Sequence, residues 1–442
     1  MEQRDECEIR GRPAGGCRAV AVLFVYCIHN AWNCWVFLNF TNVKPASELL
    51  GVSEVQISAM LTAGWVGILS TIPLVTVCTW HRTLLVAAGI VNACAPVLRY
   101  SAATAAASHG SLNVVIFTNW LMGAAFGIIG AWPPMLAAMQ WPSSRHSLVT
   151  AVASLSNYAG GAAGVALMPL IAASPSALLE AFRWQACAAM PLTVMLAAWV
   201  LWLPPFEPRT PSLGLRGQLK RLCCQRRPAV QLGTFGLVIG LSLLLQGADQ
   251  QILAAVGFTE LECGVANSAY QLAAAAVGMA LGLHVTSSRD LRPVLRRLHA
   301  LAALAFLGLV AVCCAVRALG RFNSAPAAMV LFMAILGASL MGMLPFVLQR
   351  AVTELDASEN VTTGLLYMIA VSLAAGLTEV TARLSGITSL ALLGALLALE
   401  IILFTACDGS PQHRGSSHLA SGRGLLVGLV DPGREAYATR TA

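Results

Sequence analysis

PPFEPRTPSLGLRGQLKRLCCQRRP, residues 204–228, decides how this chain divides. It is polar, basic and proline-bearing, and it is the longest internal connection between apolar runs. Upstream of it lie six such runs, at 18–40, 53–79, 83–103, 112–139, 147–173 and 182–203. Downstream lie six more, at 229–256, 262–286, 294–319, 325–348, 358–382 and 385–406. A helix that crosses a bilayer needs about 20 mostly apolar residues, so each run qualifies or nearly does. The expected organisation is a tail at 1–17, a first half at 18–203, the linker at 204–228, a second half at 229–406 and a tail at 407–442. The last segment is rich in Gly, Ser and Arg without helical periodicity, and is expected to be disordered.

Composition supports the same reading. The 442 residues are 57% hydrophobic and 11% charged, and the mean hydropathy is +0.73. A soluble chain carries about 25% charged residues, so this is an integral membrane protein. The opening residues are polar and charged and have no secretory-signal pattern. The thirteen cysteines lie mostly in apolar runs and have no metal-type spacing, so neither a disulfide framework nor a metal centre is expected. Two halves of nearly equal length joined by a basic loop resemble the plan of major facilitator transporters, which are built from repeats. The expected fold is an all-α membrane protein with the major facilitator architecture, twelve transmembrane helices arranged as two six-helix halves. All ten tryptophans lie in the first half, so the halves have diverged in sequence.

Orientation follows from Lys and Arg. With both termini cytoplasmic, six of the 27 basic residues fall on outer segments: Lys44, Arg99, Arg183, Arg317, Arg321 and Arg383. The other 21 fall on inner segments. The net charge of +7 is therefore read as a cytoplasmic face that meets anionic membrane lipids, not as a nucleic-acid surface.

Three stretches carry a narrower resemblance: Asn30-Ala31-Trp32, WPSSRHSLVTAVASLSNYAGGAAG at 141–164, and SENVTTGLL at 358–366. With Arg99-Tyr100 and Trp132-Pro133-Pro134, they resemble the feline leukaemia virus subgroup C receptor-related family, a branch of the major facilitator superfamily. The resemblance implies transport of choline and ethanolamine, of haem, or of vitamin B6-type solutes. It also has departures. Where the family commonly has Trp four residues after the first-helix Asn, this chain has Cys34, with Trp35 one step on. Asn157-Tyr158 replaces a frequent Asn-Gln, Tyr367 and Val371 replace Asn and Gln, and the Tyr-Pro before the eleventh helix is missing. The superfamily's acidic motif between helices 2 and 3 is absent from 75–82.

The first apolar run holds an unusual cluster, HNAWNCWVFLNFT at 29–41. At about 100° per residue, His29, Trp32, Asn33, Val36 and Phe40 share one helix face, with Trp35 and Asn39 at its edge. Gln246, Asp249 and Gln250 repeat the spacing of His29, Trp32 and Asn33 in the seventh helix, and both triplets are expected near mid-helix. Polar groups in hydrocarbon need partners, so both faces should look into the bundle or a wet cavity. One reading is a substrate site near the midplane. Trp32, Trp35, Tyr158 and Tyr367 would offer aromatic faces, worth about 0.5–2 kcal/mol per cation–π contact. Asn157, Gln246 and Gln250 would offer hydrogen bonds, and Asp249 a counter-charge. The other reading is that these groups only fix helix packing. His29 has three readings: a haem ligand, a proton carrier, or a core histidine.

The expected substrate is a small organic solute, a choline- or ethanolamine-like amine first and haem second, carried by a monomer without cofactor. A receptor or sensor on the same fold is the rival. No phosphate-binding Gly-Lys-Ser/Thr loop, catalytic carboxylate pair or zinc motif is present, so an enzyme is not expected. Glu379 is read as a solvated or paired charge, and Glu400 as a residue that snorkels to the inner surface. Cys223-Cys224 is either a palmitoylation site or an unmodified pair. Of the sequons, Asn39-Phe40-Thr41 lies too near the membrane for easy glycosylation and Asn360-Val361-Thr362 lies on the inner side. The plasma membrane is favoured by the family resemblance.

Overall fold

The computed structural model describes residues 16–38, 43–77, 81–105, 110–142, 145–202, 215–284, 288–355 and 357–409. The tail at 1–15, most of the tail at 407–442 and the first sequon at Asn39 lie outside them. The helices of the first half are α1 (Cys17–Phe37), α2 (Val43–Leu50), α3 (Glu54–Val77), α4 (His81–Thr104), α5 (Gly110–Ile129), α6 (Pro133–Gln140), α7 (His146–Ile171) and α8 (Pro175–Trp202). A linker helix follows, α9 (Leu215–Cys224). The second half has α10 (Arg226–Ala254), α11 (Glu260–His284), α12 (Ser288–Leu319), α13 (Ala325–Leu336), α14 (Leu344–Glu354), α15 (Glu359–Thr381) and α16 (Gly386–Gly409).

Nine helices or broken helices among the described residues are long and apolar enough to cross a membrane. The other three long helices, α7, α8 and α11, have 26, 28 and 25 residues. α7 carries Ser156 and Asn157, which bond Asn30 of α1, and α11 carries Asn267, Ser268 and Gln271.

Packing repeats from one half to the other. In the first, α1 lies on α7, α3 on α5, and α4 on both α5 and α8. In the second, α10 lies on α15, α11 on α13, and α12 on both α13 and α16. The same scheme appears twice although the tryptophans occur in one half only. The halves then meet along two seams, α7 against α11 and α3 against α15.

Two spans expected to be continuous are broken. The fourth breaks between α5 and α6, where Trp132 precedes Pro133 and Pro134 and the proline rings cannot continue the hydrogen-bond ladder. The tenth passes through a π-helical turn, Gly337–Met341, in which Gly342 N–H donates to Gly337 O at 2.9 Å. Gly337 is needed there: a Cβ would come within 1.9 Å of the Tyr270 carbonyl on α11.

Burial corrects one charge assignment and details another. Arg99, counted with the outer charges, is fully buried. Its guanidinium donates to Val36 O at 2.7 Å and Asn119 Oδ1 at 3.0 Å. Glu400 does not snorkel. It is 0% exposed and lies 2.8 Å from His299 Nε2, too deep on α16 for its carboxyl to reach the surface.

Candidate functional site

The polar cluster of α1 splits into two sets. Asn33 Nδ2 donates to Asn92 Oδ1 on α4 at 2.6 Å and to Met122 O on α5 at 3.0 Å. Trp32 Nε1 donates to Asn92 O at 3.2 Å, and Asn92 Nδ2 donates to His29 O at 3.3 Å. Trp32, Asn33 and the His29 backbone therefore converge on Asn92, inside the first half. The second set points toward α7. Asn30 Nδ2 donates to Ala153 O at 2.9 Å and Ser156 Oγ at 3.1 Å, and Asn157 Nδ2 donates to Asn30 Oδ1 at 3.4 Å.

Where α1, α7, α10 and α11 meet, the contact crosses between halves. Gln246 Nε2 on α10 donates to Cys34 Sγ on α1 at 3.4 Å and to Gln271 Oε1 on α11 at 3.0 Å. Gly161 on α7 makes room for this. A Cβ there would stand 2.1 Å from Gln271 Oε1 and 2.9 Å from Cys34 Sγ. Beside it, Ser268 Oγ on α11 donates to Ala162 O on α7 at 2.8 Å.

From Gln271 the polar chain runs on to Asp249. Gln271 Nε2 donates to Asn267 Oδ1 at 2.7 Å, and Asn267 Nδ2 donates to Asp249 Oδ1 at 2.6 Å and to Gln246 O at 2.9 Å. The direction of this relay has a cause. The Gln246 backbone carbonyl only accepts, so Asn267 must turn its amino group toward it, and the same group reaches Asp249 Oδ1. Its oxygen then faces Gln271, whose oxygen in turn faces Gln246. The order of all three amides is thus fixed, and such chains polarise one another cooperatively. Asp249 is 2% exposed and sits toward the C-terminal end of α10, beyond the mid-helix place expected of it. The Gln250 side chain lies outside the described residues.

Buried tyrosines lie near the relay, and Trp35 pairs with Trp32 within the first half. Tyr158 on α7 lies within electrostatic range of Tyr367 on α15, Tyr270 on α11 and Cys34. Trp35 is 6.5 Å from Trp32, ring centre to ring centre, tilted by 48°. All four tyrosines near the seam, Tyr26, Tyr158, Tyr270 and Tyr367, are buried. Tyr26 and Tyr270 are tied by their hydroxyls to Ile129 O at 2.6 Å and Ser242 O at 3.3 Å.

The α3–α15 seam is closed on both sides of this layer. On the linker face, a Cβ at Gly364 would meet Thr76 Oγ1 at 2.1 Å. On the opposite face, Thr62 Oγ1 donates to Glu379 Oε1 at 2.7 Å, and Arg383 lies 3.6 Å from the same carboxylate. The linker helix adds a clamp: Gln218 Oε1 accepts from Ser358 N and Ser358 Oγ at 2.9 and 2.8 Å, at the start of α15. The halves therefore touch on both faces.

Two solved structures are similar over nearly the whole chain. One is the major facilitator superfamily proton:xylose symporter XylE bound to 6-bromo-6-deoxy-D-glucose, at 12% identity, covering 88% of this chain and 95% of that one, with a TM-score of 0.62. The other is the human organic anion transporter MFSD10 (TETRAN), at 16% identity, covering 89% of this chain and 100% of that one, with a TM-score of 0.63. This chain has the major facilitator fold. No protein-family model and no curated protein matches the sequence.

Within the major facilitator fold, the expected site residues separate by position. Gln246, Asp249, Asn157 and Tyr158 lie at or beside the meeting of the halves, with Tyr367 in range of Tyr158. His29, Trp32 and Asn33 are bound up with Asn92. The relay residues Asn267 and Gln271, and the contact atom of Cys34, were not among the expected site residues. Asn267, Ser268 and Gln271 share one face of α11 at spacings of one and four, so the signal was present in the sequence.

Proposed function

We propose that this protein is a carrier that moves a small organic cation, a choline- or ethanolamine-like amine, by alternating access of its two halves. The single observation that carries the reading is the relay from Gln246 to Asp249 at the contact between halves. It offers one carboxylate, neutral amides and nearby tyrosine rings. A quaternary or primary ammonium needs that combination: aromatic faces, one counter-charge and few competing cations. The same arrangement repels an organic anion, the solute named for MFSD10, and supplies more charge than a neutral sugar requires.

Rocking of the halves would break Gln246–Cys34 and Ser268–Ala162 and open the relay to one face at a time. The kinship proposed for the chain is with the feline leukaemia virus subgroup C receptor-related carriers, on the sequence stretches already quoted. Both termini lie in the cytoplasm and the host membrane is the plasma membrane. The carrier acts as a monomer.

Uptake of labelled choline into proteoliposomes of purified protein tests this, with ethanolamine, pyridoxine and haem as competitors. Saturable choline uptake, inhibited by ethanolamine, is expected. Binding without flux would make the protein a receptor instead. Uptake of haem with no response to choline would overturn the amine reading.

A further inference from the structure

His299 and Glu400 lie 101 residues apart in sequence, on α12 and α16, and meet in the core of the second half. His299 Nδ1 is 2.7 Å from Leu295 O, and Nε2 is 2.8 Å from Glu400 Oε1. A backbone carbonyl only accepts, so Nδ1 carries a hydrogen. The second contact then needs one more proton. Either Nε2 is protonated and faces a carboxylate, or Glu400 is protonated and donates to Nε2. Without that proton two lone pairs would face each other at 2.8 Å. The geometry is that of a pair holding one exchangeable proton, whichever partner carries it.

The surroundings lead from this pair toward water. Phe404 on α16 stacks on His299 with ring centres 4.1 Å apart. Arg350 on α14 lies over Phe404 at 5.4 Å and over Phe235 on α10 at 5.6 Å. Arg350 Nε bonds Glu354 at 3.0 Å, Arg292 on α12 reaches the same carboxylate at 3.3 Å, and Gln231 on α10 donates to it at 3.3 Å. Side-chain exposure falls stepwise inward: Arg292 31%, Glu354 18%, Arg350 5%, His299 3%, Glu400 0%. Arg296 and Arg297 of α12 face outward, and α13 presents no titratable side chain. α12 has 32 residues. At about 1.5 Å per residue a helix of that length exceeds the ~30 Å hydrocarbon core, so its first turns project from the linker face.

We propose that His299 and Glu400 form a proton-binding site of the second half, loaded in this conformation. Release transfers one proton to water at the linker face, leaving an Nδ1–H imidazole and a carboxylate. The Nε2–Oε1 hydrogen bond between α12 and α16 is lost. The site lies apart from the relay at Asp249 and does not depend on which solute the carrier moves.

Infrared difference spectroscopy of the purified protein in lipid vesicles, titrated with pH and without any solute, tests this. The wild type should show coupled carboxyl and imidazole bands that titrate together as one proton per chain. Both should vanish in Glu400→Gln, while the bands of other carboxyls remain. Identical difference spectra for wild type and a folded Glu400→Gln would overturn the proposal. Should Glu400→Gln fail to fold, His299→Asn is the second variant. It must remove the imidazole band and shift the carboxyl band, and an unmoved carboxyl band would equally overturn it.

Discussion

Gln246 of α10 donates a hydrogen bond to the thiol of Cys34 on α1, 3.4 Å away, and so links the two halves beside the relay to Asp249. The position that faces Gln246 is the one where the resembled family commonly has tryptophan. A thiol there is small and accepts only weakly, so the link is easily broken when the halves separate. Cys34→Trp should crowd the α1–α10–α11 junction and hold the halves apart. Choline exchange should fall while the protein remains folded, which size-exclusion profiles and exchange assays on one preparation would check.

Gly161→Ala should act at the same junction from α7. The added Cβ would stand 2.1 Å from Gln271 Oε1, which must move and break its bond from Gln246. Overpacking of this kind costs about 1–3 kcal/mol. A lowered melting temperature with reduced uptake is expected. Unchanged uptake would detach the relay from transport.

Trp32 and Tyr158 should behave differently. Trp32→Phe removes the bond to Asn92 O within the first half, worth about 1 kcal/mol, and should lower stability while leaving choline affinity alone. Tyr158→Leu removes an aromatic face beside the relay and should weaken choline binding about 5–30-fold. Thermal melts and equilibrium binding on both variants separate the two roles. The reverse pattern would return Trp32 to the site.

The opposite face should open more readily in Thr62→Val. This variant removes the donor to Glu379 at nearly constant shape, a loss of about 1 kcal/mol on the closed side of the equilibrium. Spin labels at Ser174 and Asn323, one exposed on each half, report the change. Double electron–electron resonance should show longer distances in the variant. An unaltered distribution would mean that the α3–α15 seam is held by packing alone.

The fold was legible because its cause is coarse. Twelve apolar runs and one basic linker follow from the length of a helix in a bilayer and from the placement of Lys and Arg. The breaks at Pro133 and at Gly337 were less visible, since a π-turn depends on how closely Gly337 must approach Tyr270. The site was legible in part. A helical wheel shows that His29, Trp32 and Asn33 share a face, but not which neighbour that face meets. For Trp32 and Asn33 the neighbour is α4, through Asn92, which stands alone in an apolar run and gave no pattern. The same limit hid His299–Glu400, whose partners come from helices far apart in sequence.

Cation binding in the proposed carrier rests most directly on Asp249. Equilibrium binding of labelled choline to purified wild type and Asp249→Asn tests it, with a thermal melt on each. An asparagine at 249 can present its amide oxygen to Asn267 Nδ2, as the carboxylate does, so the variant should fold and melt close to wild type. Its affinity for choline should nevertheless fall at least about tenfold, roughly 1.4 kcal/mol, across the whole pH range measured. Equal affinity in a folded Asp249→Asn would contradict the account and leave the relay as a packing device between the halves.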